Sequence, residues 1–349
     1  MRAKRLNNVE CLRVLIMFMI VIHHCVVSGL HLNSNLNSGI DCNNMMNYLL
    51  VFINSIVVVA VNVFFLISGY FTINFKLNKF LMLLGEVIFY SFFIYIIFAI
   101  EGGEILNVKN IMKYSILAVN EYWFMTVYLV LMLVAPYLNI VIDLLKADKR
   151  KYSIFIITLF AITCIYGFAF DKDVINVNGG YSLIYAIFLY FTGNFIKTYD
   201  IINDCKKMHI LYMLAGGVNF LLALFLVYLG KGNMAWKLFS YNNPIVYIQA
   251  IALFISFLTI KCNGRIGIFI GRFGQYTLGI YLIHSHSLLI PYRFRELEII
   301  MKDMGVIFWP FLILLYCIIL YIVCNCVEIL RKKIAKCFVK IRTINVKRV

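Results

Sequence analysis

Three polar residues of the first apolar segment have side chains and a spacing that suit chemistry. In the stretch 13-RVLIMFMIVIHH-24, Arg13 is followed by an uncharged apolar run and then by His23 and His24. A helix turns about 100° and rises about 1.5 Å per residue, so His24 returns to within about 20° of Arg13, roughly 16 Å along the axis. Glu10 lies one turn before Arg13, whereas His23 points about 80° away from it. The pattern predicts a polar stripe of Glu10, Arg13 and His24.

This stripe combines a candidate base with a candidate anion-binding group. Histidine titrates near neutrality and is a natural general base for removing a proton from a sugar hydroxyl. An arginine three turns away suits something anionic and extended, a description that acyl-coenzyme A fits. Charged groups at membrane depth cost about 2.5–3.5 kcal/mol and usually face an interior cavity. The plainer alternatives are an arginine that reaches the headgroups and a histidine that only packs.

The composition indicates that these residues belong to a membrane-embedded protein. The chain has 349 residues, of which 63% are hydrophobic and 14% charged, against about 45–50% and about 25% in soluble domains. We therefore predict an all-α, polytopic transmembrane helix bundle. Apolar runs of roughly 20 residues indicate ten spans, near 12–30, 47–73, 80–100, 121–142, 152–170, 180–198, 209–229, 243–260, 273–291 and 306–328.

Lysine and arginine are concentrated on one predicted side of the membrane. They gather in the N-terminal segment, in alternate loops and in a basic tail at 329–349, which the positive-inside rule assigns to the cytoplasm together with both termini. The outer loops carry few cations, among them Arg293. The net charge of +16 thus orients the loops and meets anionic headgroups, without a nucleic-acid partner. The first span is predicted to be retained because no small-residue cleavage site follows it.

The cysteines and histidines predict neither a disulfide framework nor a metal site. The ten cysteines include no C-x-x-C pair, and His284 and His286 would point about 200° apart on a helix. We expect no bound cofactor, and we treat residues 1–349 as a single membrane domain.

Four motifs in order resemble the acyltransferase 3 family of integral-membrane O-acyltransferases. Arg13 and His24 match its Arg-x10-His signature, and 62-NVFFLISGY-70 resembles its second-helix motif. The segments 122-YWFMTVYLVLMLVAP-136 and 278-LGIYLIHSH-286 are similar to its W-F-x-x-x-Y and I-Y-L-x-H segments. The resemblance covers almost the whole chain.

The resemblance implies transfer of an acyl group from cytoplasmic acyl-coenzyme A to a hydroxyl of a carbohydrate or lipid-linked glycan. His24 would be the general base or acyl carrier, and Arg13, with Glu10 nearby, would engage the donor. Many members carry an R-x-x-R pair at the start of the third helix, where this chain has Lys76 and Lys79. Lysines can meet the donor phosphates as point charges, but not as bidentate forks.

Further candidates come from the other motifs. Ser68 is assigned to donor binding, with a small-residue helix contact at Ser68-Gly69 as the alternative. His284 and Tyr281 are assigned to catalysis, by hydroxyl activation and oxyanion stabilisation, with an interfacial polar role as the alternative for His284. Acceptor binding is assigned to Glu121, Tyr122 and Trp123, although an interfacial aromatic belt also explains a tryptophan there. The outer loop 231-KGNMAWKLFSYNNP-244 suits sugar binding as well as an ordinary interfacial loop.

We therefore predict an inner-membrane, multi-pass O-acetyltransferase that acts on a surface polysaccharide or its lipid-linked precursor. The expected donor substrate is acetyl-coenzyme A or a similar acyl-coenzyme A, and the expected partners are membrane lipids and a carbohydrate acceptor; homo-oligomerisation stays open. The main alternative is a polysaccharide exporter or flippase without acyl transfer. The absence of an evident inverted repeat and of broken helices argues against it. A membrane scaffold would need neither Arg13 nor His24.

Overall fold

The computed structural model describes residues 6–37, 45–115, 121–170, 174–201 and 207–346, and these contain helices and loops but no strand. The α-helices, numbered in chain order, are α1 Asn7–His24, α2 Leu32–Asn37, α3 Met45–Val57, α4 Ala60–Phe71, α5 Leu77–Ile100, α6 Val108–Tyr114, α7 Trp123–Leu145, α8 Lys149–Phe160, α9 Gly167–Ala169, α10 Leu183–Thr198, α11 Met208–Tyr228, α12 Gly232–Lys237, α13 Pro244–Thr259, α14 Arg265–Gly271, α15 Thr277–His284, α16 Arg295–Asp303 and α17 Trp309–Val346. The predicted helical bundle is confirmed.

Eight helical segments of the described part of the chain are long and apolar enough to cross a membrane. They are Asn7–Gly29, Asn47–Phe71, Leu77–Ile100, Trp123–Leu145, Lys149–Ala169, Met208–Tyr228, Arg265–His284 and Trp309–Cys337. The shorter apolar helices Leu183–Thr198 and Pro244–Thr259 occupy the places of the predicted sixth and eighth spans. The count of ten and the cytoplasmic termini stay predictions. We call the end of the bundle at Asn7 the inner end and the end at His24 the outer end, following that predicted orientation.

The segments of α1 and of α3–α4 form the centre of the bundle. The most apolar window of Asn47–Phe71 is 78% buried and that of Asn7–Gly29 is 56% buried, against 17–39% for the other six long segments. The peripheral helices turn large hydrophobic side chains outward, as lipid contact requires. Residues on α1 and α4 are therefore more enclosed by protein than residues on the other long segments.

Glycines bring α4 and α10 into backbone contact. A Cβ atom on Gly69 would overlap the carbonyl group of Tyr190, and one on Gly193 would overlap that of Leu66. Small residues allow this close approach between membrane helices. Gly69 thus has the helix-contact role that was the alternative for the Ser68-Gly69 pair.

An ion cluster ties α5 to α17 towards the inner end. Arg331 Nη2 lies 2.6 Å from Glu86 Oε1, and Arg331 Nε lies 2.7 Å from Glu328 Oε2. Tyr90 Oη donates to Glu328 Oε2 at 2.5 Å, and Lys332 Nζ pairs with Glu328 Oε1 at 2.9 Å. The predicted basic tail therefore begins as a continuation of α17, and its first two cations neutralise acids inside the bundle.

Candidate active site

A cavity of about 200 Å³ runs along one face of α1. Arg13, Met17, Ile20 and His24 line it at helical spacing, so the rotation predicted for the polar stripe holds in the folded bundle. The opposite walls come from α4, α5, α7, α15 and one outer loop. Their lining residues are Val61, Phe64, Ile67, Ser68, Leu83, Trp123, Phe124, Met125, Tyr128, Tyr241, Thr277, Leu278 and Tyr281.

His24 and His284 form a hydrogen-bonded pair at the outer end of this cavity. His24 Nδ1 lies 3.1 Å from His284 Nε2, and His284 Nδ1 lies 2.6 Å from the carbonyl oxygen of Ile280. Ser285 Oγ is the third polar atom, 3.5 Å from His24 Nδ1 and 3.4 Å from His284 Nε2. His284 itself is 1% exposed.

These contacts determine the tautomers of the neutral pair. A carbonyl oxygen only accepts hydrogen bonds, so His284 Nδ1 must carry its proton and the neutral ring keeps a lone pair on Nε2. His24 Nδ1–H must then donate to that lone pair, which leaves the lone pair of His24 on Nε2. An oriented base with a free ring nitrogen is the arrangement that proton abstraction needs. In this state His284 accepts from His24 and positions it.

Local backbone geometry sets the position of His24. It is the last residue of α1, and Cys25–Gly29 continues the helix as a π turn; such turns are frequent at functional sites. Gly29 ends the turn against Phe294, whose Cβ would lie 2.6 Å from a Cβ on that glycine. The outer segment that follows α15 is thereby packed against the end of α1, behind the histidine pair.

Arg13 lies towards the inner end of the cavity. Its Nε is 4.0 Å from Glu10 Oε1, and Glu10 is largely buried. Arg13 Nε has no hydrogen-bond partner within the described residues, so the guanidinium can bind an anion. Ser68, on α4, returns its hydroxyl to the carbonyl oxygen of Phe64 at 2.9 Å; it lines the cavity without being activated as a nucleophile.

Aromatic rings surround the outer part of the cavity. Trp123 lies 5.6 Å from Tyr241 in a stacked arrangement and 4.4 Å from Tyr181, and Tyr181 lies 4.9 Å from Tyr241. Tyr281 lies 6.2 Å from the ring of His284. Flat aromatic faces beside a base suit the recognition of a sugar ring.

The structure brings Arg13, His24, Ser68, Trp123 and Tyr281 together as cavity-lining residues, with His284 behind His24 and Glu10 beside Arg13. The other predicted site residues do not line this cavity. Glu121 accepts from Ser287 Oγ at 2.5 Å and pairs with Lys113 at 3.3 Å, and the buried Tyr122 donates to the carbonyl oxygen of Leu282 at 2.9 Å. Lys76 and Lys79 are exposed at the start of α5.

Two notable residues near the histidine pair were not among the predicted site residues. Tyr241 comes from the outer loop 231–244, which was recognised only as aromatic and amide-rich. Arg293 was counted as an outer-loop cation, yet it is 9% exposed and its Nε and Nη1 have no hydrogen-bond partner in the described part of the chain. Burial lowers its pKa to about 10, so it stays charged at neutral pH, within electrostatic range of His24 and His284. No local sequence signal marks its burial.

Comparison with known proteins identifies the family of this chain. The acyltransferase 3 family model, described as an acyltransferase domain, matches residues 6–327. No curated protein and no solved structure matches the chain significantly. The family match covers nearly the whole chain, including His24 and the first part of α17. The chain therefore belongs to the acyltransferase 3 family and is a membrane acyltransferase.

Proposed function

We propose that this membrane acyltransferase transfers an acetyl group from cytoplasmic acetyl-coenzyme A to a hydroxyl of a surface polysaccharide or lipid-linked glycan. The observation that supports the proposal is the cavity along α1, which Arg13 and the positioned His24 both line. These two residues are separated along the helix by roughly 16 Å. Such a separation suits a donor with a phosphate-bearing head and a thioester at the end of a long arm.

The donor would enter from the inner end, with Arg13 on its phosphates. A larger cavity of about 720 Å³ opens there, lined by Thr72, Asn139, Asp143, Lys146 and Lys197 among others. Thr72 lies four residues beyond Ser68, directly after the end of α4, so the second cavity begins where the inner part of α4 ends. Lys146 pairs with Asp143 at 2.6 Å, so Lys197 and the amide of Asn139 are the groups that suit a nucleotide head. Lys76 directly precedes α5.

In the reaction, His24 Nε2 takes the proton of the acceptor hydroxyl. The hydroxyl oxygen then forms a bond to the thioester carbonyl carbon, the carbon–sulfur bond breaks, and the leaving thiolate recovers the proton from His24. Tyr281 lines the site where the carbonyl oxygen develops negative charge. The buried Arg293 contributes a positive potential in the same region, which favours that charge.

The acceptor would approach from the outer end across Trp123 and Tyr241. In this proposal the enzyme lies in the cell (inner) membrane of a bacterium, with its donor and its acceptor on opposite sides. It also makes the histidine pair the place where the two substrates meet.

The test is the ester content of surface polysaccharide, measured by proton NMR and mass spectrometry alongside total glycan. Cells would carry the wild type, His24→Ala, or His209→Ala as a matched control, since His209 is exposed at the start of α11. We expect ester with the wild type and the control, none with His24→Ala, and equal glycan in all. Glycan yield that depends on the protein while ester never changes would favour an exporter and refute the proposal.

A further inference from the structure

A second polar cavity lies at the outer end of the bundle, separate from the one along α1. Its volume is about 230 Å³, and two outer segments of the chain line it, with Phe168, Phe170 and Asn178 on one side and Lys237, Ser240 and Asn242 on the other. Nothing in the transfer step described above uses this cavity. Its polar groups and two aromatic rings are the surfaces that proteins present to sugars.

The residues 240–242 form a wall shared by the two cavities. Tyr241 lines the cavity along α1, whereas its neighbours Ser240 and Asn242 line the outer one. The carbonyl oxygen of Tyr241 accepts from Asn62 Nδ2 at 2.9 Å and from Tyr185 Oη at 2.6 Å. These two buried hydrogen bonds hold the wall rigidly in place.

The backbone of the opposite loop, at Gly179 and Gly180, packs directly against this wall. Gly179 and Gly180 have φ values of +61° and +94°, which residues other than glycine rarely adopt. The carbonyl oxygen of Gly179 accepts from the N–H of Tyr241 at 2.9 Å. A Cβ on Gly180 would lie 2.6 Å from the Cβ of Tyr241. The shape of the outer cavity is therefore built into the fold.

Asn242 supplies an acceptor that no described residue satisfies. Its side chain is 0% exposed, and Nδ2 donates to the carbonyl oxygen of Thr163 at 3.0 Å. That bond orients the amide, because only the NH₂ group can donate to a carbonyl oxygen. Asn242 Oδ1 then has no hydrogen-bond partner among the described residues. A buried acceptor left unpaired is costly, and a hydroxyl of a bound ligand would satisfy it.

We propose that the outer cavity binds a second sugar of the acceptor glycan, next to the sugar that receives the acetyl group. This inference rests on the proposed function. The acceptor sugar lies over Trp123 and Tyr241, and the neighbouring sugar passes the shared wall to meet Asn242, Ser240 and the ring of Phe170. The cavity thus gives the enzyme a preference for chains over single sugars.

The test compares long and short acceptors on the full-length protein in lipid nanodiscs with acetyl-coenzyme A. The acceptors are single sugars and longer oligosaccharides, prepared by hydrolysis of de-esterified surface polysaccharide from the source cells. We expect the wild type to have kcat/KM about tenfold higher for the longer acceptors, as one or two hydrogen bonds and a ring contact provide. Ser240→Phe, which fills the cavity, should bring this ratio close to one.

Two further variants make the result independent of folding defects. Phe170→Ala alters a ring that is 58% exposed, so it should fold normally and lower the ratio severalfold. Tyr228→Ala changes a ring that is 79% exposed at the outer end of α11, and it should keep the wild-type ratio. A ratio preserved in both cavity variants overturns the second-sugar site alone. A wild type that acetylates neither acceptor overturns the proposed function and this inference with it.

Discussion

Replacement of His284 tests the assignment of roles within the histidine pair. If His284 Nε2 accepts the Nδ1–H of His24, the variant His284→Leu leaves a buried donor unpaired and frees the His24 ring to adopt the wrong tautomer. When His24 takes the acceptor's proton, the same hydrogen bond becomes charge-assisted and stronger. Loss of this hydrogen bond therefore raises the free energy of the transition state more than that of the bound substrate. The expected defect is therefore mainly in kcat, with little change in KM.

The magnitude follows from the contact itself. Leaving a buried donor unpaired costs about 1–3 kcal/mol, and about 1.4 kcal/mol corresponds to a tenfold rate change. His284→Leu should thus lower kcat by roughly 5- to 150-fold. His284→Gln retains an amide oxygen to accept from His24 and an amide N–H₂ for Ile280, so its kcat should stay within roughly fivefold of the wild type.

The assay is acetyl transfer from acetyl-coenzyme A by the purified protein, with kcat and KM measured for both substrates. Thermal unfolding of each variant serves as the control, because His284 is buried and its loss could disturb packing. Equal losses in His284→Leu and His284→Gln at equal thermal stability would refute the positioning role. That outcome would mean that His284 must itself exchange a proton with a substrate.

Three further predictions concern the charges of the site and the helix contacts. Arg13→Ala should raise the KM for acetyl-coenzyme A roughly tenfold or more, which corresponds to the free energy of a charge-assisted hydrogen bond. Transfer from S-acetylpantetheine, which lacks the phosphates, should be much less affected. Equal losses with both donors would contradict phosphate binding. Arg293→Gln should lower kcat roughly 5- to 30-fold, since a charge at roughly 8–16 Å contributes on the order of 1–2 kcal/mol at an effective dielectric near 20. Arg293→Lys should retain most activity, and a lysine variant as poor as the glutamine one would argue against a charge effect. Gly69→Ala should destabilise the detergent-solubilised protein by about 1–3 kcal/mol through overpacking, which would be measured as a lower unfolding temperature. Gly217→Ala is the control, because a Cβ atom there would have open space around it, and it should leave the unfolding temperature unchanged. Similar shifts in both variants would contradict the close contact between α4 and α10.

The sequence was most informative where the information is local. Helical periodicity relates residues within a single helix, and this is why the common face of Arg13 and His24 could be predicted from α1 alone. Hydropathy placed the long apolar helices for the same reason, since a lipid environment constrains each segment separately. Arg331 pairs with Glu86, and no local rule could name this partner, because it lies on the distant helix α17.

The tertiary structure decided which distant residues meet. The pairing of His24 with His284 joins positions 260 residues apart, and its direction depends on the contact between His284 and the carbonyl of Ile280. Packing also buried Arg293, placed Tyr241 beside the base, and kept Glu121, Tyr122, Lys76 and Lys79 off the cavity along α1. These outcomes depend on how helices cross and how outer loops fold back, and neighbouring residues in the chain do not encode that geometry. The sequence by itself therefore determined a membrane helix bundle with a polar stripe, and only packing turned the stripe into one wall of a cavity.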